Sequence, residues 1–277
     1  MQVRARAKIN LNLRVLGRDD VTGYHDIETL MVPVGLSDEL RVVLDDGPGI
    51  RLTCSDPQLD AGSGNLAWRA AEIFLRETGI SSGVALELHK HIPHGAGLGG
   101  GSSDAAAVLN ALNRQTGHPL DEDKLSVLAA RLGSDVPFFI RSQAAFARGR
   151  GEVLRAQALP KPFDLLLIKP PFGVETSWAY NAWDAGRRCP AIWTAPQLFD
   201  GTEIFNDLES PVFDKFLVLA DLKLWLLEHS LVAAAGLSGS GSCLFAILRD
   251  ARGAEDLADA VHREFGATFW TAAVRTL

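Results

Sequence analysis

A chain of 277 residues has room for one large or two medium domains and can bury a proper core without staples. With 47% apolar and 22% charged residues it is not a disordered chain. The net charge of −7 removes the basic footprint that nucleic-acid binding needs, and leaves open a local basic site for a phosphorylated small molecule. Cys54, Cys189 and Cys243 form no C-x-x-C pair, which excludes a disulfide framework and a thiolate zinc site and fits a reducing cytoplasm.

Val3, Ala5, Ala7, Ile9, Leu11, Leu13 and Val15 alternate with polar residues, so the spacing predicts a half-buried strand with a solvated polar face. No hydrophobic run of signal-peptide type opens the sequence. A polar loop over 17–23 follows. Strands are expected over 38–44 and 50–54, paired with each other, then a helix over 65–78 ended by Gly79 and a strand over 84–88. A glycine-rich loop over 95–103 leads into a helix from about Asp104 to Gln115, and a further helix is expected over 121–132. Gly133 to Pro137 reads as a turn into Phe138-Phe139-Ile140, and 144–151 as a second turn-rich stretch.

The composition shifts near Leu159-Pro160-Lys161-Pro162, which divides the chain into domains 1–158 and 159–277. A strand over 164–168 is stopped by Pro170-Pro171, 211–229 is helical, 254–265 is the last helix and 268–274 the last strand. The form of 178–195, with three of the six tryptophans, is open. The uncharged run 230–248 has almost the length of a membrane span. Its central Gly236, Ser238, Gly239, Ser240, Gly241 and Ser242 would expose unpaired backbone to lipid, so it reads as a helix end, a loop and a strand start. The alternating strands argue for mostly antiparallel sheets with helices packed on them, an α+β class.

The strongest chemical signal is Pro93-His94-Gly95-Ala96-Gly97-Leu98-Gly99-Gly100-Gly101-Ser102-Ser103-Asp104. Glycines let backbone N–H groups surround an anion, and a helix starting behind them adds its unpaired N–H groups and positive dipole end. That is a phosphate cradle. Its G-x-G-x-x-G spacing also matches the dinucleotide fingerprint, but the preceding strand alternates where a Rossmann strand would be apolar on both faces. No Walker loop and no protein-kinase motif set is present. His89, His91 and His94 read as surface residues, without a carboxylate near in sequence to make a metal site. From chemistry alone Lys8 reads as part of a solvated face and Asp135 as a turn cap; Leu237–Gly241 is a second glycine–serine loop after a helix, with a C-cap turn as its bland alternative. The stripe of Leu219, Leu222, Trp225 and Leu226 reads as helix core.

Ala7-Lys8-Ile9-Asn10-Leu11, Gly23-Tyr24-His25, the loop from Ile92 to Ser103, Gly133 to Phe139, Asn206-Asp207-Leu208-Glu209 and Leu237 to Gly241 occur in this order. Together they resemble the GHMP kinase superfamily, from Ala7 to about Ala246. Within it they resemble the kinases that act on a cytidine diphosphate ester of methylerythritol in mevalonate-independent isoprenoid biosynthesis. The resemblance implies a two-domain fold with its active site in the cleft between the domains, ATP as co-substrate, Mg2+, and phosphorylation of the 2-hydroxyl. It implies Asp135 as the base, with Lys8 beside it holding the hydroxyl. It also implies Pro93, His94, Gly95, Ala96, Gly97, Leu98, Gly99, Gly100, Gly101, Ser102 and Ser103 around the phosphates and Asn65 near the adenosine. Asn10, Tyr24, His25, Thr176, Tyr180 and Gly239 would bind the second substrate, Tyr24, His25 and Tyr180 at its cytosine. Ser102 or Ser103 is the candidate protein oxygen for the metal. A homoserine- or mevalonate-type kinase of the same superfamily is the alternative; it would keep the glycine loop and lack Tyr24-His25 and the Gly133–Phe139 turn. Nucleic-acid and membrane partners are not expected, a cytoplasmic location is, and a homodimer is compatible with the sequence.

Overall fold

The computed structural model describes residues 1–159 and 161–277. In chain order the elements are β1 (Gln2–Arg18), β2 (His25–Asp45), β3 (Ile50–Cys54), α1 (Leu66–Thr78), β4 (Gly83–His89), α2 (Gly100–Gln115), α3 (Glu122–Ala130) and α4 (Val136–Arg141). Then come β5 (Ala145–Arg148), β6 (Val153–Ala156), β7 (Asp164–Lys169), α5 (Thr176–Asp184), β8 (Gln197–Phe199), β9 (Thr202–Asn206), α6 (Glu209–Lys215) and α7 (Leu217–Glu228). The chain ends with β10 (Val232–Leu237), β11 (Leu244–Leu248), α8 (Ala254–Phe265) and β12 (Trp270–Arg275). The elements gather into two units that interleave in sequence. One holds Met1–Ala7, Leu36–Pro93 and Gly99–Gln143, the other Lys8–Gly35, His94–Leu98 and Ala144–Leu277. The boundary expected at 159–162 includes Pro160, which lies outside the described residues.

In the first unit β2 runs antiparallel to β4, in register from Glu39 opposite His89 to Asp45 opposite Gly83. The expected β2–β3 hairpin is not formed. β3 pairs in parallel with β4, because α1 carries the chain back across between them and a crossover makes parallel neighbours. Asn65 caps α1 by accepting the Ala67 N–H at 2.9 Å, and Gly79 closes it with φ +68°. Ala67, Ala70, Ala71 and Phe74 of α1 and Ala105, Ala106, Leu109 and Leu112 of α2 are buried, small residues allowing the helices a close approach. The segment read as a turn into Phe138–Ile140 forms the short helix α4. Pro137 sits in its first turn, where no intrahelical N–H is needed.

The second unit contains the antiparallel sheet β10-β11-β7-β12. Its core joins Leu166 and Ile168 of β7, Phe213 of α6, Leu219, Leu222 and Leu226 of α7, and Leu257 and Val261 of α8. β1 pairs in parallel with β9 through Asn12 opposite Phe205, and β2 pairs with β5 through Thr29 opposite Ala147. The run 230–248 is strand, loop, strand, without the expected helix end: Val232 to Leu237 and Leu244 to Leu248 pair antiparallel across the glycine–serine segment. The expected single helix over 211–229 is two, parted at Phe216 with φ −113° and ψ 73°. The tryptophan-rich stretch forms α5, followed by a single 3₁₀ turn over Ala191–Trp193. The turn-rich 144–151 includes the strand β5. Among the described residues no helix is long and apolar enough to cross a membrane.

Candidate active site

The polar face of β1 is not solvated where it matters. Lys8 and Asn10 are 3% and 4% exposed, although they alternate with Ala7, Ile9 and Leu11 as expected. A buried ammonium must be paired with polar partners. Lys8 Nζ donates to Asn10 Oδ1 at 2.6 Å, and Asn10 Nδ2 donates onward to Thr29 Oγ1 at 2.8 Å. A Cβ built on Gly239 would stand 3.3 Å from Asn10 Oδ1 and 3.5 Å from Lys8 Nζ, so the second glycine loop passes directly beside this pair.

That loop follows the strand β10, not a helix, and is no helix cap. It docks on the first half of the glycine-rich segment. Ser242 and Cys243 donate backbone N–H groups to Gly95 O and Ala96 O, both at 3.2 Å, and Ser238 Oγ donates to Gly97 O at 3.0 Å. The approach leaves no space for a side chain: a Cβ on Gly97, whose φ is +74°, would lie 2.0 Å from Ser238 O. The loop is held from behind as well. Asn206 Nδ2 donates to Leu237 O at 2.8 Å and Gly239 O at 2.7 Å. Glu209 accepts the Leu237 N–H at 3.0 Å and the Lys223 ammonium at 2.5 Å, in a pair at most 1% exposed. Burial pushes the Glu209 carboxyl above its ordinary pKa, opposed by Lys223 and the Leu237 N–H. Thr176, at the start of α5, shares a hydrogen bond of 2.9 Å with Ser240.

The rest of the glycine-rich segment belongs to the first unit. α2 begins at Gly100, four residues earlier than expected, after Gly99 with φ +73°. Gly100 to Ser103 are therefore its first turn, with Ser102 half-buried and Ser103 buried. Asn65 has both ends of its amide in use, accepting from Ala67 N and donating to Asp60 O at 2.8 Å. Asp135 directly precedes α4, and its carboxylate makes no capping hydrogen bond to that helix.

Sequence reasoning missed the ion cluster beneath this turn. Lys90 Nζ bonds Asp38, and Asp104 at 2.7 Å, all nearly buried. Asp38 also accepts the N–H groups of His91 and Ile92 and so fixes the chain entering the glycine-rich segment. Burial, with Asp38 adding to it and Lys90 opposing, raises the Asp104 carboxyl to about 7 from 3.8; its Oδ1 has no hydrogen-bond partner. Burial pulls the Lys90 ammonium down, and Asp104 and Asp38 together outweigh it to hold its pKa above the ordinary value.

A carboxyl raised on folding stabilises the folded state below its unfolded pKa, and that contribution is lost as pH rises through about 7. Between about pH 5 and pH 8 the wild-type Tm should fall more than that of Asp104→Asn, by about 2–4 °C for each 1 kcal/mol. Parallel Tm-against-pH curves for the two proteins would show that Asp104 is ionised throughout.

The third group lies around His25. Its imidazole, 7% exposed, stacks on Tyr180 of α5 at 4.8 Å between centroids and meets Trp183 edge-on at 6.3 Å. Its Nε2 is 2.8 Å from Asp184 Oδ1, and Arg18 lies 3.7 Å from the other oxygen of Asp184. Tyr24 is half-exposed, with the Arg150 guanidinium 4.7 Å from its ring centroid. Trp183 and Asp184 were invisible to motif reading. Their signal in the sequence is spacing: Trp183 and Asp184 lie three and four residues beyond Tyr180, about one turn along α5.

Comparison with known proteins shows the class of protein, a kinase class, that carries these features. The family model of the GHMP kinases N terminal domain matches residues 65–143, and that of the GHMP kinases C terminal matches 196–268. The 4-diphosphocytidyl-2-C-methyl-D-erythritol kinase of Methylacidiphilum infernorum (isolate V4) is 41% identical over 270 residues, covering 96% of this chain and 93% of that protein. A crystal structure of 4-(cytidine 5'-diphospho)-2C-methyl-D-erythritol kinase superposes with a TM-score of 0.79 at 37% identity, over 99% of both chains. The homoserine kinase of Cytophaga hutchinsonii, at 18% identity and a TM-score of 0.66 over 100% of this chain and 94% of that one, shares the fold alone. The chain belongs to the 4-diphosphocytidyl-2-C-methyl-D-erythritol kinase family of the GHMP kinases, and is an ATP-dependent small-molecule kinase with the two-domain fold of that class.

Proposed function

We propose that this chain transfers the γ-phosphoryl group of ATP to the 2-hydroxyl of 4-diphosphocytidyl-2-C-methyl-D-erythritol, giving the 2-phosphate and ADP, in mevalonate-independent isoprenoid precursor biosynthesis. The observation that carries this reading is the pairing, within one unit, of an aromatic cradle at His25 with a buried Lys8 beside two interlocked glycine loops. The cradle suits a planar base, and the loops suit a phosphate chain. In the proposed reaction the segment from Pro93 to Ser103 wraps the triphosphate, the residues after Pro93 donating their backbone N–H groups, and Asn65 stands at the adenosine. Lys8, oriented by Asn10, holds the reacting hydroxyl, and Asp135 takes its proton. Tyr24, His25 and Tyr180 hold the cytosine, with Thr176 and Gly239 along the substrate.

Phosphoryl transfer passes through a loose transition state, so positioning and charge neutralisation supply most of the acceleration. Mg2+ fits the oxygens present. The hydroxyl of Ser102 or Ser103 would be its protein contact, and no cluster of three acidic, His or Cys side chains suited to a metal occurs among the described residues. Such a site leaves most of the coordination to phosphate and water, and the ion would neutralise charge on the phosphates. Three free cysteines support a cytoplasmic location.

An ADP-release assay on the cytidine diphosphate ester of methylerythritol, homoserine, mevalonate and galactose tests the reading. Turnover with the first is expected; turnover with another of these alcohols and none with the ester would overturn it. His25→Ala should raise KM for the ester about tenfold or more, the scale of a lost stacking and hydrogen-bonding contact, with KM for ATP unchanged. An unaltered KM for the ester would remove the cytosine from this cradle.

A further inference from the structure

Asp184 has no place in the reaction outlined above, yet it is tied to the most enclosed ring of the cradle. The imidazole of His25 cannot turn freely: Tyr180 covers one face and Trp183 closes an edge. Its Nε2 faces a carboxylate oxygen at 2.8 Å. A carboxylate can only accept, so Nε2 must carry a hydrogen and donate it. With that one proton on Nε2, the ring has its lone pair on Nδ1, which is then a hydrogen-bond acceptor. Arg18 lies 3.7 Å from the second oxygen of Asp184.

An acceptor in a base-binding cradle discriminates by chemistry. The 4-amino group of cytosine donates a hydrogen bond, whereas the 4-keto oxygen of uracil only accepts and would face the lone pair of Nδ1. We infer that Asp184 is a positioning residue that locks His25 with its proton on Nε2 and thereby selects a cytidine over a uridine ester. The inference rests on the proposed placement of the base against His25, and goes beyond it in naming the group that sets the choice of base.

The test compares kcat/KM for the cytidine diphosphate ester of methylerythritol with that for its uridine counterpart. It is run in the wild type, in Asp184→Ala and in Asp184→Asn. In Asp184→Ala the imidazole is free to carry its proton on either nitrogen, and the cytidine preference should fall about tenfold or more, the scale of one misplaced hydrogen bond. In Asp184→Asn the amide oxygen can still accept from Nε2, and the preference should stay within about threefold of wild type. A merely structural role would lower both activities together and leave their ratio untouched. Nitrogen-15 spectra of the histidine-labelled wild type, with the His25 signal assigned by its loss in His25→Ala, should show Nε2 protonated and Nδ1 bare. A proton on Nδ1, or an unchanged ratio in Asp184→Ala, overturns the role of Asp184. Absence of ADP release from the wild type with the cytidine ester defeats instead the proposed function.

Discussion

Asp135→Asn should lower kcat about 10³-fold, in the range of ~10²–10⁴ typical of a lost general base, while ATP binding by titration calorimetry stays within about twofold. The alcohol proton becomes acidic only when its oxygen has begun to bond to phosphorus, so a base acts late and its effect falls on kcat. Asparagine has nearly the shape of aspartate and cannot accept a proton. It keeps an oxygen that can accept a hydrogen bond, so the variant should melt within a few degrees of wild type. Wild-type kcat in a well-folded Asp135→Asn would remove the residue from the chemistry. A collapse of Tm together with ATP binding would return it to the role of a turn residue.

How much of this was legible varied with the physics of each element. The glycine-rich segment was readable as a loop running into a helix because clustered glycines and serines punctuate the chain before the small-residue pattern of α2. Its helix start was misplaced because Gly100 and Gly101 are poor helix formers; at Gly100 a Cβ would stand 3.0 Å from Ile92, so the missing side chain lets the turn pack close there. β2 was read only from residue 38 because Pro33 and Gly35 punctuate it; the strand in fact continues through them and passes from one unit to the other after Gly35. The ion cluster did leave a trace. Asp38 continues the inward phase of Leu40 and Val42, and Lys90 that of Val84, Leu86 and Leu88, so two opposite charges fall on buried faces of neighbouring strands. The contact of His25 with Asp184 spans 159 positions and follows no periodicity. Only the folded chain brings them together.

Lys223 carries a similar trace, and the second large effect is expected there. It lies on the stripe of Leu219, Leu222 and Leu226 along α7, where a lysine would be out of place without a partner, and it is 1% exposed. Its partner Glu209 is wholly buried and spends its other oxygen on the Leu237 N–H. Lys223→Met keeps the length and apolar stem but strands a carboxylate in the core, which should cost about 3–5 kcal/mol. Part of that loss is relieved if Glu209 takes up a proton, a response its already raised pKa favours, so the deficit in urea unfolding should shrink as pH is lowered. The double variant Lys223→Met with Glu209→Gln should recover a large part of the loss at neutral pH, because the glutamine amide oxygen can still accept from Leu237 without a charge to bury. Because Leu237 leads directly into the Ser238–Gly241 loop that holds Gly95 to Gly97, the single variant should also raise KM for ATP before it unfolds. Additive losses in the double variant would mean that the pair is not coupled.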